Sequence, residues 1–290
     1  MPRDSDASVI AILAAHNRCE STIRALTRLT ECAASAHVAV RAVVVDDGST
    51  DSTGACLRAI EGLDVRVVDG EGTWYWARSM ARAEGDALGG SQGRDTWLLW
   101  LNDDVNLDPD ALGRLVRTSQ AHSGRIIIGS TRDPDTGAVT YGGLNRRGIH
   151  PLAYALVDPP SDAPCEVDTF NGNIVLVPSS VAVSLGGIDG DYAHGLADID
   201  YGWRARAAGI PALLAPGTFG ACARNTAPPA EPTMAAWRRF ISPKGGGHPA
   251  SSRRFLRKTH RITWPLWWLS TYVKWWLMRP TRARAKGGAA

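Results

Sequence analysis

The sequence predicts an α/β fold, a mostly parallel sheet with helices on both faces, followed by a basic, tryptophan-rich helical extension. Three observations predict it. Short β-branched apolar runs alternate with helically spaced segments from Val9 to Ile128. Acidic and glycine-rich turns follow directly on the apolar runs. The charge changes sign after Glu231, the last acidic residue. With 290 residues, 44% hydrophobic and 21% charged, the chain is neither disordered, collagen-like nor a multi-span membrane protein.

The elements follow in order. Val9–Ala15 is a continuous apolar run, as a strand covered on both faces requires. Ser21–Leu29 has helical spacing, Ala39–Asp46 is a second β-branched strand, and Ser52–Ile60 a second helix. Val65–Val68 is a short strand, Tyr75–Gly85 an Ala/Arg-rich helix and Thr96–Leu101 a buried strand. Asp108-Pro109 signals a helix start, Asp capping and Pro in the first turn, running to about Ser119; Ile126–Ile128 is strand again. This β-α-β-α order argues a parallel sheet. After Val139 glycines and prolines thicken, and the expected elements are a strand at Ile174–Val177, a helix at Ser179–Leu185 and a helix from about Asp198 to Ala208.

The five cysteines are odd in number and scattered, without a C-x-x-C pair, which predicts neither a disulfide framework nor a structural zinc site and points to a reducing cytosol. No export signal is read at the N-terminus, where the apolar run is short. From Pro232 to Ala290 there are thirteen Lys/Arg and no acid, whereas the preceding residues carry nineteen Lys/Arg against all 29 acids. An acidic body with a basic tail implies an anionic partner surface. Five of the eleven tryptophans (Trp264, Trp267, Trp268, Trp275, Trp276) lie in Ile262–Met278, a 17-residue stretch interrupted by Pro265 and Lys274. Spanning a bilayer takes about 20 apolar residues, so the stretch reads as lying on an anionic membrane rather than crossing it. Basic flanks (Arg253, Arg254, Arg257, Lys258 and Arg261 before; Arg279, Arg282, Arg284 and Lys286 after) favour the membrane, and tryptophan on a near-continuous apolar run favours lipid over nucleic acid, so no nucleic-acid partner is expected. The competing reading docks the tail on the body or in a homodimer.

Ligands of open α/β sheets bind beyond the carboxyl ends of the strands. The residues there are His16-Asn17-Arg18, Asp46-Asp47-Gly48-Ser49-Thr50-Asp51, Asp69-Gly70-Glu71-Gly72 and Asn102-Asp103-Asp104. Massed carboxylates repel one another unless cations or donors sit among them. There is no G-x-x-x-x-G-K-[ST] loop and no G-x-G-x-x-G after the first strand, so phosphates would be met through a metal. Each cluster also has a plain reading. Asn102-Asp103-Asp104 would be a solvated turn. Asp46–Asp51 would be a turn whose Ser49 or Asp51 caps the next helix. Asp198 and Asp200 would sit at a helix start, Asp200 pairing with Arg204. Trp74, Tyr75 and Trp76 would be core packing, and His194 a loop residue.

Together these segments resemble inverting family-2 glycosyltransferases of GT-A-type fold. The matching pieces are Ile12–Arg18, Val44–Asp51, Leu99–Asp104 and Gly195–Arg206, in that order, over about residues 8–225. Trp74-Tyr75-Trp76-Ala77 and the His194…Asp198 spacing are similar to the rhamnosyltransferase-like branch. The resemblance implies a glycosyltransferase domain over residues 1–231, with residues 8–135 binding the nucleotide sugar and 136–231 the acceptor, and a membrane-interfacial extension over 232–290. It implies donor contacts from Ala15, Asn17, Asp46, Asp47, Gly72, Trp76, Asn102 and Asp103, with Asp104 ligating Mg²⁺ or Mn²⁺. It implies Asp198 as catalytic base, and His194, Asp200 and Trp74 on the acceptor side. Asn102 replaces the first acid of the D-x-D pattern, Ala197 stands where many relatives have an acid, and Phe219–Asn225 lacks the histidine that many relatives place there.

The implied reaction moves a sugar, rhamnose on the narrower resemblance, from a nucleoside-diphosphate donor to a hydroxyl of a glycan or lipid-linked acceptor, on the inner face of the cell membrane. A base takes the acceptor proton while a divalent ion offsets charge on the leaving diphosphate. One base without a second nucleophilic carboxylate means direct displacement and inversion. The alternative is a catalytically silent sugar-nucleotide or glycan-binding subunit of a synthase complex. A nucleotidyltransferase would need a glycine-rich basic loop after the first strand, which His16–Glu20 is not.

Overall fold

The computed structural model describes residues 8–89, 96–224 and 232–278. Its elements run β1 (Ser8–Ala15), α1 (Cys19–Ala36), β2 (Ala39–Asp46), α2 (Thr53–Arg58), β3 (Asp64–Asp69), α3 (Tyr75–Gly89) and β4 (Thr96–Leu101). There follow β5 (Asn106–Leu107), α4 (Ala111–Ala121), β6 (Ile127–Arg132), β7 (Val139–Tyr141), β8 (Gly143–Arg146), β9 (Tyr154–Leu156), β10 (Cys165–Val167) and β11 (Thr169–Phe170). The remainder is β12 (Ile174–Pro178), α5 (Ser179–Leu185), α6 (Ala197–Ala207), β13 (Ala212–Ala221), α7 (Thr233–Ile241), α8 (Pro249–Thr259) and α9 (Trp264–Leu277).

The main sheet has the order β10-β13-β6-β12-β4-β1-β2-β3. Strands β3, β2, β1 and β4 are mutually parallel, and β6 and β13 are parallel to each other. β12 runs antiparallel between β4 and β6, and β10 antiparallel beside β13. The expected mostly parallel sheet is found, with those antiparallel insertions. β11, β8 and β9 form a small second sheet.

Alternation along β1 explains why both faces are covered. Val9, Ala11 and Leu13 point into one core with Leu26 and Leu29 of α1 and Leu112 and Leu115 of α4. Ile10 and Ile12 point into the other, with Ala77, Met80 and Ala83 of α3. Each strand is thus desolvated on both sides, and its polar groups surface only at its ends.

Several expectations are corrected. α1 runs to Ala36 rather than Leu29, because Cys32 and Ala33 are buried in the polar-looking last turns, and His37 closes it in the left-handed region at φ 54°. Asp108 does not cap α4. It accepts both guanidinium nitrogens of Arg132 at 2.7 Å, and the capping position is Asp110. The expectation from scattered cysteines fails at one pair: Cys19 and Cys56 form a disulfide between α1 and α2, whose starts meet at one end of the sheet although 37 positions separate them.

β13 was not anticipated. Pro216, Gly217 and Gly220 break its apolar run, and its pairing with β6 shifts register between Leu214 and Thr218. Nor is the C-terminal region a separate appendage. Phe255 and Leu256 of α8 are buried, and Phe255 lies in the same core as Ile10 and Trp100. Arg254 and Lys258 pair with Asp189, and Lys258 also reaches Asp200 at 2.9 Å. Among the described residues, no helix is long and apolar enough to cross a membrane.

Candidate active site

The carboxyl ends of β1, β2 and β4 open onto a cleft of about 440 Å³. Ala15, Asp47, Gly72, Trp76, Asn102, Asp103, Asp104 and His194 line it, eight of the thirteen residues singled out from sequence. Arg18 and Lys244 line it too.

Backbone bonds build the β2 side. Asp47 is buried, its Oδ1 accepting from the Gly72 and Trp74 N–H groups at 2.8 and 3.2 Å and its Oδ2 from Tyr75 at 2.9 Å. Its carboxylate therefore holds the loop before α3 in place. Gly48 (φ 65°) must be glycine here, because a Cβ would stand 2.7 Å from the Gly72 nitrogen. Asn17 lies outside the lining. Its N–H donates to Ser49 Oγ at 2.8 Å and its Oδ1 accepts from the Thr50 N–H at 2.7 Å, stitching the β1 end to the β2 loop. Asp46 is also outside, buried at the end of β2, with Oδ1 accepting from the Ser49 N–H at 3.2 Å. Asp51 accepts the Thr53 N–H at 2.8 Å, as the plain helix-start reading requires.

Asn102, Asp103 and Asp104 follow β4. Trp76 donates its indole N–H to Asn102 Oδ1 at 2.9 Å. Arg18 bridges Asp103 (3.3 Å) and Asp104 (2.9 Å), supplying the cation that two adjacent carboxylates need. Burial pushes Asp103 up to about 6 despite the opposing pull of Arg18. β13 brings Cys222 to the same edge, its thiol 3.5 Å from Asp104 Oδ1, in the segment where relatives were expected to carry a histidine.

Asp198, at the start of α6, is partly buried, and burial raises its carboxyl to about 6. Its Oδ2 accepts from the Gly172 N–H at 3.1 Å and its Oδ1 from the Ile199 N–H at 2.9 Å. A Cβ on Gly172 would come 2.6 Å from the Trp76 ring, so one glycine separates Asp198 from the indole that lines the cleft. Trp76 also meets Trp100 edge-on at 6.0 Å, combining core packing with cleft lining.

Two expected acceptor residues are placed elsewhere. Asp200 is fully buried, bonded to Arg204 (2.8 Å), Lys258 (2.9 Å) and Tyr192 Oη (3.1 Å). That network consumes its carboxylate and ties α6 to α8. Trp74 lies outside the lining, its ring under the Arg78 guanidinium at 5.2 Å. Residues at the site to which the sequence reading gave no role include Arg18, Cys222 and Lys244. Arg18 had a signal, its place directly after β1; Lys244 had none, in a glycine-rich loop 140 positions from Asp104.

Among the described residues, no group of three or more His, Cys, Asp or Glu could by itself hold a metal ion. The donors present, Asp103 and Asp104 on a cleft wall, suit the mode in which one or two carboxylates and the substrate's phosphates share a Mg²⁺.

The model of "Glycosyl transferase family 2" matches residues 10–170, more than half of the chain. Residues of this chain are 30% identical over 125 positions to the succinoglycan biosynthesis protein ExoO of Rhizobium meliloti (strain 1021), covering 43% of this chain and 33% of that protein. The match thus spans about a third of the relative's length. The fold is similar to the mannosyltransferase PcManGT of Pyrobaculum calidifontis in complex with GDP-Man and Mn²⁺ (TM-score 0.56, 16% identity, 91% of this chain and 69% of that one). It is also similar to S. aureus TarS 1–349 in complex with UDP (TM-score 0.54, 13% identity, 74% and 60%). These likenesses establish the GT-A-type fold. With the family match extending from β1 through the Asn102-Asp103-Asp104 edge to β11, the chain belongs to glycosyl transferase family 2.

Proposed function

We propose that the protein transfers a sugar from a nucleoside-diphosphate donor to a hydroxyl of a glycan or lipid-linked acceptor, with inversion at the anomeric carbon. The observation that carries this reading is the continuous path Asp198–Gly172–Trp76–Asn102, which sets a carboxylate of raised pKa against the cleft that holds Asp103 and Asp104. The neighbour that binds GDP-Man and Mn²⁺ and the one that binds UDP support a sugar nucleotide as the donor class. The ExoO likeness supports polysaccharide assembly as the setting, and a rhamnosyl donor remains the narrower form of the proposal.

Asp198 accepts the proton of the attacking hydroxyl. A carboxylate poised near 6 is a stronger base than an ordinary one and still ionised at neutral pH, an effect worth about 10²–10⁴-fold. Trp76 offers an indole face to the sugar. Asp104 with Asp103 would hold Mg²⁺ or Mn²⁺, which when bound would offset charge on the departing diphosphate. Arg18, already between these two carboxylates, supplies positive charge from the chain itself.

The extension fits a peripheral position on an anionic membrane. No residue of α9 is buried. One face packs inward, Trp275 against Trp237 at 4.9 Å and Trp267 against His150 at 5.4 Å. Ile262, Leu266, Leu269, Val273 and Leu277 leave an apolar stripe exposed, with Arg257, Arg261 and Lys274 nearby in sequence.

The test is a thermal-shift panel of nucleotide sugars, dTDP-rhamnose and GDP-mannose included, with and without Mn²⁺ or Mg²⁺. A true donor raises Tm by mass action and is consumed when acceptor is added. A shift without transfer to any glycan or lipid-linked hydroxyl would favour the silent binding subunit, and no shift with any sugar nucleotide would overturn the proposal.

A further inference from the structure

We propose that Lys244, carried into the cleft by the loop between α7 and α8, binds the phosphate groups of a diphosphate substrate, so that the C-terminal region is part of the active site as well as an anchor. The inference rests on the transferase reading above and adds a binding residue to it.

Lys244 lines the cleft, with Asp104 and His194. The other charged groups there are committed. Asp47 accepts three backbone N–H groups, and Asp103 and Asp104 share Arg18. Among the described residues, no carboxylate lies within ion-pair reach of the Lys244 ammonium, in contrast to Arg254 and Lys258 further along the same region. Beside it His194 Nδ1 is buried without a hydrogen-bond partner, and burial, then the charges of Lys244 and Arg18, push that imidazole below its ordinary pKa. An unpaired ammonium lining the cleft, with an unsatisfied ring nitrogen beside it that can carry a proton, is an arrangement that an anion would complete.

The loop is built to hold this position. Gly247 donates to the Phe240 carbonyl at 3.0 Å, and Tyr272 Oη of α9 donates to the Gly247 carbonyl at 3.2 Å. A Cβ at Gly245 or Gly247 would collide with the Phe240 backbone or ring. Ser251 Oγ, bonded to His248 Nδ1 at 2.9 Å, accepts the N–H of Ala193, the neighbour of His194. These bonds tie the loop to the segment that carries His194 and to α9.

The donor carries a diphosphate, and so does a lipid-diphosphate-linked acceptor; the chemistry Lys244 meets is the same. Calorimetry on the full chain in Mg²⁺ buffer separates the sources, with UDP, GDP and dTDP as donor-like probes, inorganic pyrophosphate as the anion alone, and the free nucleosides as controls. Lys244→Ala should weaken pyrophosphate binding about tenfold, the worth of one charge-assisted hydrogen bond, while Lys244→Arg restores it. A parallel loss for the nucleoside diphosphates assigns the anion to the donor; a loss confined to pyrophosphate assigns it to the acceptor side. Nucleosides should bind both variants equally, and Tm should be unchanged because Lys244 is exposed. Pyrophosphate affinity equal in Lys244→Ala and wild type would overturn the proposal while leaving the transferase reading intact. Failure of the wild type to bind any of the diphosphates would overturn both.

Discussion

The cleft has two walls built on different principles. One consists of the ends of β1, β2 and β4, where His16–Arg18, Asp46–Asp51 and Asn102–Asp104 follow apolar runs that parallel pairing places side by side. The other consists of His194 and Lys244, from the loop before α6 and the loop before α8, with Gly172 and Asp198 behind the Trp76 ring. In the first wall, sequence position dictates spatial position, because a strand buried on both faces must surface at its end. In the second, position depends on contacts between segments distant in the chain, such as Ala193 with Ser251 and Asp200 with Lys258.

The largest effect that can break this comparison lies at Asp198. Asp198→Asn keeps an oxygen to accept the Gly172 N–H and removes the base. Turnover should fall by about 10²–10⁴-fold with nucleotide binding retained. Wild-type kcat/KM should rise as pH is raised through about 6, where Asp198 ionises, and level off above it. Wild-type turnover by the Asn variant would leave the second wall without a catalytic part.

The next effect is on stability, at the seam between the two regions. Glu84 of α3 is 1% exposed and accepts the Ile188 N–H, and burial raises it from 4.5 to about 7. Between those values the folded chain holds a proton that the unfolded chain has released. Stability should therefore fall as pH rises from about 4.5 to about 7, by up to about 3 kcal/mol. In Glu84→Gln, Tm measured across that range should lose this component of its slope. An unchanged slope would show that Glu84 does not titrate across the seam.

The smallest effect concerns the exposed stripe of α9. Leu266 and Leu269 are 70% and 57% exposed, so Leu266→Glu with Leu269→Glu should leave Tm unchanged. Co-sedimentation with anionic vesicles should fall about tenfold. Equal sedimentation would remove the membrane from the account, and a dimer that dissociates in this variant would assign the stripe to a second copy. Truncation before α8 is the wrong test, since Phe255 and Leu256 belong to the core.

Legibility in the sequence follows the same division. Strands β1, β2 and β4 and helix α5 were readable because apolar runs or helical spacing with nearby turn residues define them without outside help. β13 was not, because Pro216 and Gly217 interrupt it at the register shift that lets it reach the site edge. Among the residues that line the cleft, Asp47, Asn102 and Asp104 were readable from their place after strands. Asp200 was misplaced because its spacing to Arg204 suits both an ion pair and a site, and only Lys258 and Tyr192, far away or on another segment, decide between them. Lys244 carried no local mark at all.

On the proposed mechanism Asp198, as a single base, drives one direct displacement. The most direct test is the anomeric configuration of the wild-type product, read by ¹H NMR at early turnover with the donor found in the nucleotide-sugar panel. The product should have the configuration opposite to that of the donor. A product with the donor's own configuration would require a covalent or ion-pair intermediate that a lone base does not provide, and would contradict that mechanism.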